Sequence, residues 1–205
     1  MKRDRSLSAS SHWLGGTMAA ALLVIAWDAS AAGPLLVADT FTATTANMTP
    51  AGVNLRMQII QWQDAAARTE VVATLAADPD ASTLAKLPTV GYVWPNGSPV
   101  GYSVKYANHA PEPDGKERVT LVTDKHLGSY DFKGWSAATA GGSDKPYSVI
   151  ELELNSSGTG TGTFSLGAEV LLDEAAGTVA LKPGGQTLLT NVKRAAGQAD
   201  KGSRP

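Results

Sequence analysis

Two histidines, His109 and His126, stand close in sequence to Glu112, Asp114 and Asp124. Imidazoles with a carboxylate can ligate zinc or another divalent ion, and the same groups can activate water for hydrolysis. Their spacing matches no ligand pattern, helical i, i+4 pairs included, so two exposed loop histidines are the plainer reading. A secreted hydrolase or metal-dependent enzyme using His109, Glu112, Asp114, Asp124 or His126 is the alternative. Glu151 and Glu153 have the residue type to flank a glycosidic bond. They alternate with Ile150, Leu152 and Leu154, however, as the wet face of a strand does. There is no Gly-x-Ser-x-Gly elbow. Gly158, Gly160 and Gly162 precede neither a Gly-Lys-Ser/Thr pair nor a helix, so they read as a flexible hairpin and not as a phosphate loop. No catalytic residue, metal ligand or cofactor is assigned.

The aromatic residues are the better lead. Trp62, Tyr92, Trp94, Tyr102, Tyr106 and Trp135 fall at strand ends or in adjoining loops, and aromatics line apolar pockets or stack on sugar rings. The candidate ligand-binding set is Trp94, Trp135, Tyr92, Tyr102 and Tyr106, with Trp94 and Trp135 in contact and the tyrosines 102 and 106 supporting from inside. The competing reading makes Tyr92, Trp94, Tyr102 and Tyr106 cross-strand pairs that fill the core of one hairpin.

These residues need a scaffold, and strand signals dominate from residue 39 onward. Val53, Leu55, Met57 and Ile59 alternate with Asn54, Arg56 and Gln58. Asp64 then looks like the N-cap of a helix to about Ala77, with Val71, Val72 and Leu75 as its apolar stripe and Pro79 as its stop. A shorter helical turn is expected over 82–87. Val90, Tyr92 and Trp94 are expected on one face of a strand, Tyr102, Val104 and Tyr106 on one face of the next, with Pro95-Asn96-Gly97 turning between them. Strands at 118–123 and 150–154 follow, separated by a long glycine-containing loop with a short strand expected over 130–135. A long strand with Phe164, Leu166, Ala168, Val170 and Leu172 on one face turns back at 175–177 toward Val179 and Leu181. Leu188, Thr190 and Val192 suggest a final strand. The pattern predicts a mainly β fold, an antiparallel β-sandwich or barrel of about nine strands with one helical insertion after the second strand.

The N-terminal segment reads differently. Lys2, Arg3 and Arg5, an uncharged apolar run over 18–27, and Ala29-Ser30-Ala31 are the three parts of a secretory signal peptide. Asp28 ends the run well short of the roughly 20 residues a membrane helix needs. The expected organisation is a signal peptide over 1–31, a single β-rich domain over 32–193 and a disordered tail over 194–205. Such a protein is secreted or periplasmic, with no membrane span after cleavage. With 17 Lys and Arg against 19 Asp and Glu the net charge is −2, which argues against a nucleic-acid binder. Cysteine is absent, so disulfides, thiolate metal sites, cysteine nucleophiles and acylated-cysteine anchors are excluded.

Four runs carry a resemblance as a set: Lys86-Leu87-Pro88-Thr89-Val90-Gly91-Tyr92, Gly101-Tyr102-Ser103-Val104-Lys105-Tyr106-Ala107, Pro113-Asp114-Gly115 with Val122-Thr123-Asp124, and Tyr147-Ser148-Val149-Ile150-Glu151-Leu152. Over roughly 41–193 the chain resembles a family of exported bacterial proteins of unknown function. The family often carries arginine where this chain has Ala110 and Lys125. The resemblance implies export and a single domain, and supplies no activity. The functional expectation is an exported, non-enzymatic binding or interaction module for a small apolar or carbohydrate ligand, or for an envelope protein.

Overall fold

Alternation along the chain closes here into a barrel rather than a sandwich. The structure, a computed structural model, describes residues 37–47, 52–78, 82–95, 98–130, 145–165, 168–184 and 186–195, all within one compact unit spanning 34–205. Ten strands are described: β1 Asp39–Thr45, β2 Asn54–Ile59, β3 Gly91–Pro95, β4 Tyr102–Pro111, β5 Glu117–Thr123, β6 Val149–Leu154, β7 Thr159–Ser165, β8 Val170–Asp173, β9 Thr178–Leu181 and β10 Gln186–Arg194. Eight form a closed antiparallel barrel in the order β1-β10-β7-β6-β5-β4-β3-β2, and β8 and β9 pair separately. Each barrel strand therefore lies beside its neighbour in sequence, with β8 and β9 inserted before the last. The helix α1, Ala65–Ala77, follows β2 and starts where expected: Asp64 Oδ1 accepts from the Ala67 N–H at 2.9 Å, capping a free donor of the first turn.

An eight-stranded barrel is just wide enough for side chains to fill. Phe41, Leu55, Met57, Ile59, Val93, Tyr102, Val104, Leu121, Ile150, Leu152 and Phe164 point inward, each at most 1% exposed, and pack together as one core. β7 approaches its neighbours so closely that a Cβ on Gly160 would collide with the Glu153 carbonyl, and one on Gly162 would lie 2.5 Å from the Glu151 carbonyl. The glycines thus sit inside a regular barrel strand and permit this packing. Each mouth is stopped by an aromatic that packs on the interior, Trp62 at one end and Tyr130 at the other.

A second core lies outside the barrel wall. Val71, Val72 and Leu75 of α1, Leu84 of the following 3-10 turn, and Val179 and Leu181 of β9 cover the outward Tyr106, Val122 and Val149. The helix thus packs on the wall and does not plug a mouth. β5 is consequently buried on both faces.

Two bulges explain where the expected facing fails. Between Val104 and Tyr106 the register of β4 slips by one residue against β5, so Lys105 is extra and Tyr106 turns outward, opposite Tyr102 and Val104. Gln63 seals this gap: its Nε2 donates to the Lys105 carbonyl at 3.1 Å, and its Oε1 accepts from the Ala107 N–H at 2.9 Å. Lys105, itself 4% exposed, donates from Nζ to the Ala85 and Leu87 carbonyls and to Thr89 Oγ1 at 2.8–3.0 Å. The other bulge is on β10 at Asn191, whose φ is +52°, and lies on the strand diametrically opposite β4. It keeps Leu189 and Val192 inside and leaves Leu188 outside at 47% exposure, contrary to the expected Leu188, Thr190 and Val192 face.

Further corrections concern β3, the long strand and the tail. The inward residue of β3 is Val93, while Tyr92 and Trp94 point out, so these two rings do not fill the hairpin core. The strand expected to run past Phe164 leaves the barrel after Ser165 and resumes as β8 of the separate pair. Arg194, expected in the tail, is the last residue of β10. The segment 1–31, Pro79, the Asn96-Gly97 turn, Trp135 with the short strand expected around it, Leu166 and residues 196–205 lie outside the described residues. Among the described residues no helix is long and apolar enough to cross a membrane.

Candidate functional site

The outer wall formed by β10, β1, β2 and β3 carries a groove of about 360 Å³ lined by Thr42, Thr44, Asn54, Arg56, Trp94, Asn191 and Lys193. Pairing places these side chains side by side. Trp94 is opposite Arg56, Arg56 opposite Thr42, and Thr42 opposite Lys193, so four residues form one row across four strands. Thr44 is paired with Asn54 in the next outward row, and its hydroxyl donates to Asn54 Oδ1 at 3.1 Å. The bulge brings Asn191 to the same groove.

Trp94 is half-buried and positioned from three sides. Its indole lies against Gly101, where a Cβ would come within 2.7 Å of Nε1. The Arg56 guanidinium stands 4.5 Å from the ring centroid, and the Tyr92 ring lies 5.5 Å away. A guanidinium over an indole face contributes about 0.5–1 kcal/mol at an exposed site and orients both partners.

Of the other candidate residues, Tyr102 is 1% and Tyr106 0% exposed. The Tyr102 hydroxyl accepts from the Gly128 and Tyr130 N–H groups at 2.9 and 3.2 Å, fastening the loop that stops one mouth. Tyr106 donates to the Gly177 carbonyl at 3.1 Å and so ties the β8–β9 hairpin to the wall. The aromatic set is divided between the groove, the barrel interior and the second core.

The acid–base candidates are likewise dispersed. His109 lies at the end of β4 near the β4–β5 turn, whereas Asp124 and His126 follow the far end of β5. Glu112 pairs with Arg118 at 2.6 Å, Asp114 occupies the turn with φ +65°, and Asp124 Oδ1 accepts from the Ser103 N–H at 3.1 Å. His126 is half-buried, its Nε2 has no partner among the described residues, and burial lowers its pKa. Among the described residues no group of three His, Asp or Glu is placed to hold a metal.

Around His109 the structure assembles a circuit that spacing alone did not suggest. Trp62 Nε1 donates to Asp39 Oδ2 at 2.9 Å, Asp39 Oδ1 lies 3.1 Å from Arg194 Nε, and Arg194 Nη2 donates to Glu117 Oε1 at 2.8 Å. Glu117 Oε1 is 3.1 Å from His109 Nδ1, and the His109 ring packs 4.6 Å from Trp62, which closes the loop. Burial pushes the Glu117 carboxyl up, but the hydrogen bonds and charges of Arg194 and His109 outweigh it and hold its pKa below the ordinary value. Each charged member of this circuit, and the half-exposed imidazole with them, is engaged by a neighbour, so the cluster braces the mouth over Phe41. Its members come from residues as distant as 39 and 194, beyond the reach of any local motif.

No family model matches the chain, and neither curated proteins nor solved structures provide a match.

Proposed function

We propose that the chain is an exported binding module, without a catalytic step of its own, that takes a carbohydrate ligand on the outer groove beside Trp94. Export rests on the basic, apolar and small-residue pattern over 1–31. The observation that carries the ligand class is a positioned, partly exposed indole in a groove whose other outward lining residues are Thr42, Thr44, Asn54, Arg56, Asn191 and Lys193. A partly exposed indole ringed by hydroxyl, amide and cationic groups suits a polar ring, with apolar C–H groups against the exposed part of the indole and its hydroxyls on the rim. The packed interior disfavours a small apolar ligand in the barrel.

The test is calorimetric titration of the full chain with a panel of neutral and acidic oligosaccharides, repeated on two variants. Trp94→Ala removes the ring. Gly101→Ala keeps it but forces it off its support, because the new Cβ would stand 2.7–2.8 Å from the indole. Binding that is lost in Trp94→Ala and weakened in Gly101→Ala, with both variants still folded by circular dichroism, supports the reading. A panel without a binder, or a binder indifferent to both changes, overturns it.

A further inference from the structure

Resting on that carbohydrate reading, we infer that the ligand is acidic: a saccharide whose carboxylates meet Arg56 and Lys193. The two cations flank Thr42 in the cross-strand row, each one strand away from it. Adjacent strands lie about 4.8 Å apart, so the two side chains leave the wall about 10 Å from each other. No Asp or Glu lines the groove.

Two other arginines of the barrel are paired with carboxylates. Arg118 stands against Glu112 and Glu153, and Arg194 against Asp39 and Glu117. Among the described residues neither Arg56 nor Lys193 has a carboxylate partner, although the chain as a whole carries a net charge of −2. The groove is a local reversal of sign on an acidic protein. Arg56 is also preorganised: the indole that it covers restricts the guanidinium, whose planar fork can accept a carboxylate through two parallel hydrogen bonds. A volume of about 360 Å³ exceeds what a bare carboxylate or phosphate fills, and Asn191, turned into the groove by its bulge, adds an amide for hydroxyl recognition.

The experiment titrates the full chain with a uronic-acid hexamer, the same hexamer with its carboxyls reduced to alcohols, and sodium sulfate, each at low and high NaCl. Arg56→Gln and Lys193→Gln run in parallel, so that a folding defect in one leaves the other informative. The expected result is that the acidic hexamer binds, the reduced hexamer binds about tenfold to a hundredfold more weakly, and each variant loses a comparable factor. Affinity for the acidic hexamer should fall as salt rises. Equal binding of both hexamers, unchanged in the two variants, overturns the acidic assignment while leaving the carbohydrate reading intact. Sulfate binding as strongly as the acidic hexamer, with no response to Trp94→Ala, overturns the carbohydrate reading itself. Failure of all three probes overturns both.

Discussion

The two sides of the barrel are built from the same alternating strands and end in opposite states. Across β4, β5 and β6 the outward residues Tyr106, Val122 and Val149 lie beneath α1 and the β8–β9 hairpin and form a second core. Across β10, β1, β2 and β3 the outward residues that line the groove are Thr42, Thr44, Asn54, Arg56, Asn191 and Lys193, with Trp94 among them and Tyr92 and Leu188 also outward on these strands. Each side also has a bulge, and the two bulges are treated differently. The β4 bulge is sealed by Gln63 and directs a buried lysine into backbone carbonyls, whereas the β10 bulge presents Asn191 to solvent. A large, partly exposed ring in a groove of polar side chains calls for an explanation that a ring beneath a helix does not. This contrast is why Trp94 is read as part of a site and Tyr106 as part of the structure.

The contrast can be broken most directly at the covered side. Leu75→Ala should cost about 2–5 kcal/mol by denaturant unfolding, the range for a truncated buried leucine, because the side chain is 3% exposed within the second core. A loss within about 0.5 kcal/mol would mean that the helix covers nothing of consequence. Lys105→Met keeps the volume and removes the donor, leaving the Ala85 and Leu87 carbonyls and the Thr89 hydroxyl without it. About 1–3 kcal/mol is expected for each acceptor left buried and unsatisfied, and wild-type stability in this variant would show that water replaces the ammonium freely.

Two carboxylates sharpen the comparison through pH. Glu117 at the mouth has a lowered pKa in the folded state, so the stability it contributes is present above the unfolded value of about 4.3 and is lost as pH falls through the folded one. Glu117→Gln should therefore flatten the acid limb of a stability–pH curve; an unchanged limb would show that the circuit contributes nothing. Glu151 on β6 has the opposite sign: burial, only partly opposed by the N–H of Leu181 and the charge of Arg118, raises its pKa. Its contribution is present below about 4.3 and is lost as pH rises through the folded value. Glu151→Gln should accordingly be neutral or mildly stabilising at pH 7, and clear destabilisation there would contradict the assignment. The smallest effect belongs to the exposed Leu188: Leu188→Ser should stay within about 0.5 kcal/mol in the same unfolding assay. A larger loss would reveal that this part of the wall is covered too.

Local chemistry was legible in the sequence where it depends on neighbours in the chain. Asp64 announced the helix and Val71, Val72 and Leu75 its buried stripe, and Ile150, Leu152 and Leu154 announced the inward face of β6. Both bulges escaped because neither Lys105 nor Asn191 is a glycine or lies in a turn signal, and each reverses the alternation after it. Closure was ambiguous because a barrel and a sandwich share one alternation and differ only in whether β1 meets β10. For the proposed site, Trp94 stood out by residue type, whereas Arg56 and Lys193 did not. Alternation says that a residue points outward and not which residue of another strand stands beside it.

The pairing of β1 with β10 also sets an order of assembly. Every other barrel strand pairs with the barrel strand before it in the chain, through connections far shorter than the one that joins β1 to β10. The seam must wait for the last barrel strand, and until then β1 and the most recent strand are open edges able to pair with another chain. Asp39 with Arg194, and the Thr40 carbonyl with the Ala195 N–H at 2.8 Å, then act as the clasp of that seam. A chain interrupted before Gln186 would retain seven barrel strands yet remain an uncurled ribbon with two adhesive borders, so lesions near the C-terminal strand should appear first as self-association rather than as loss of secondary structure.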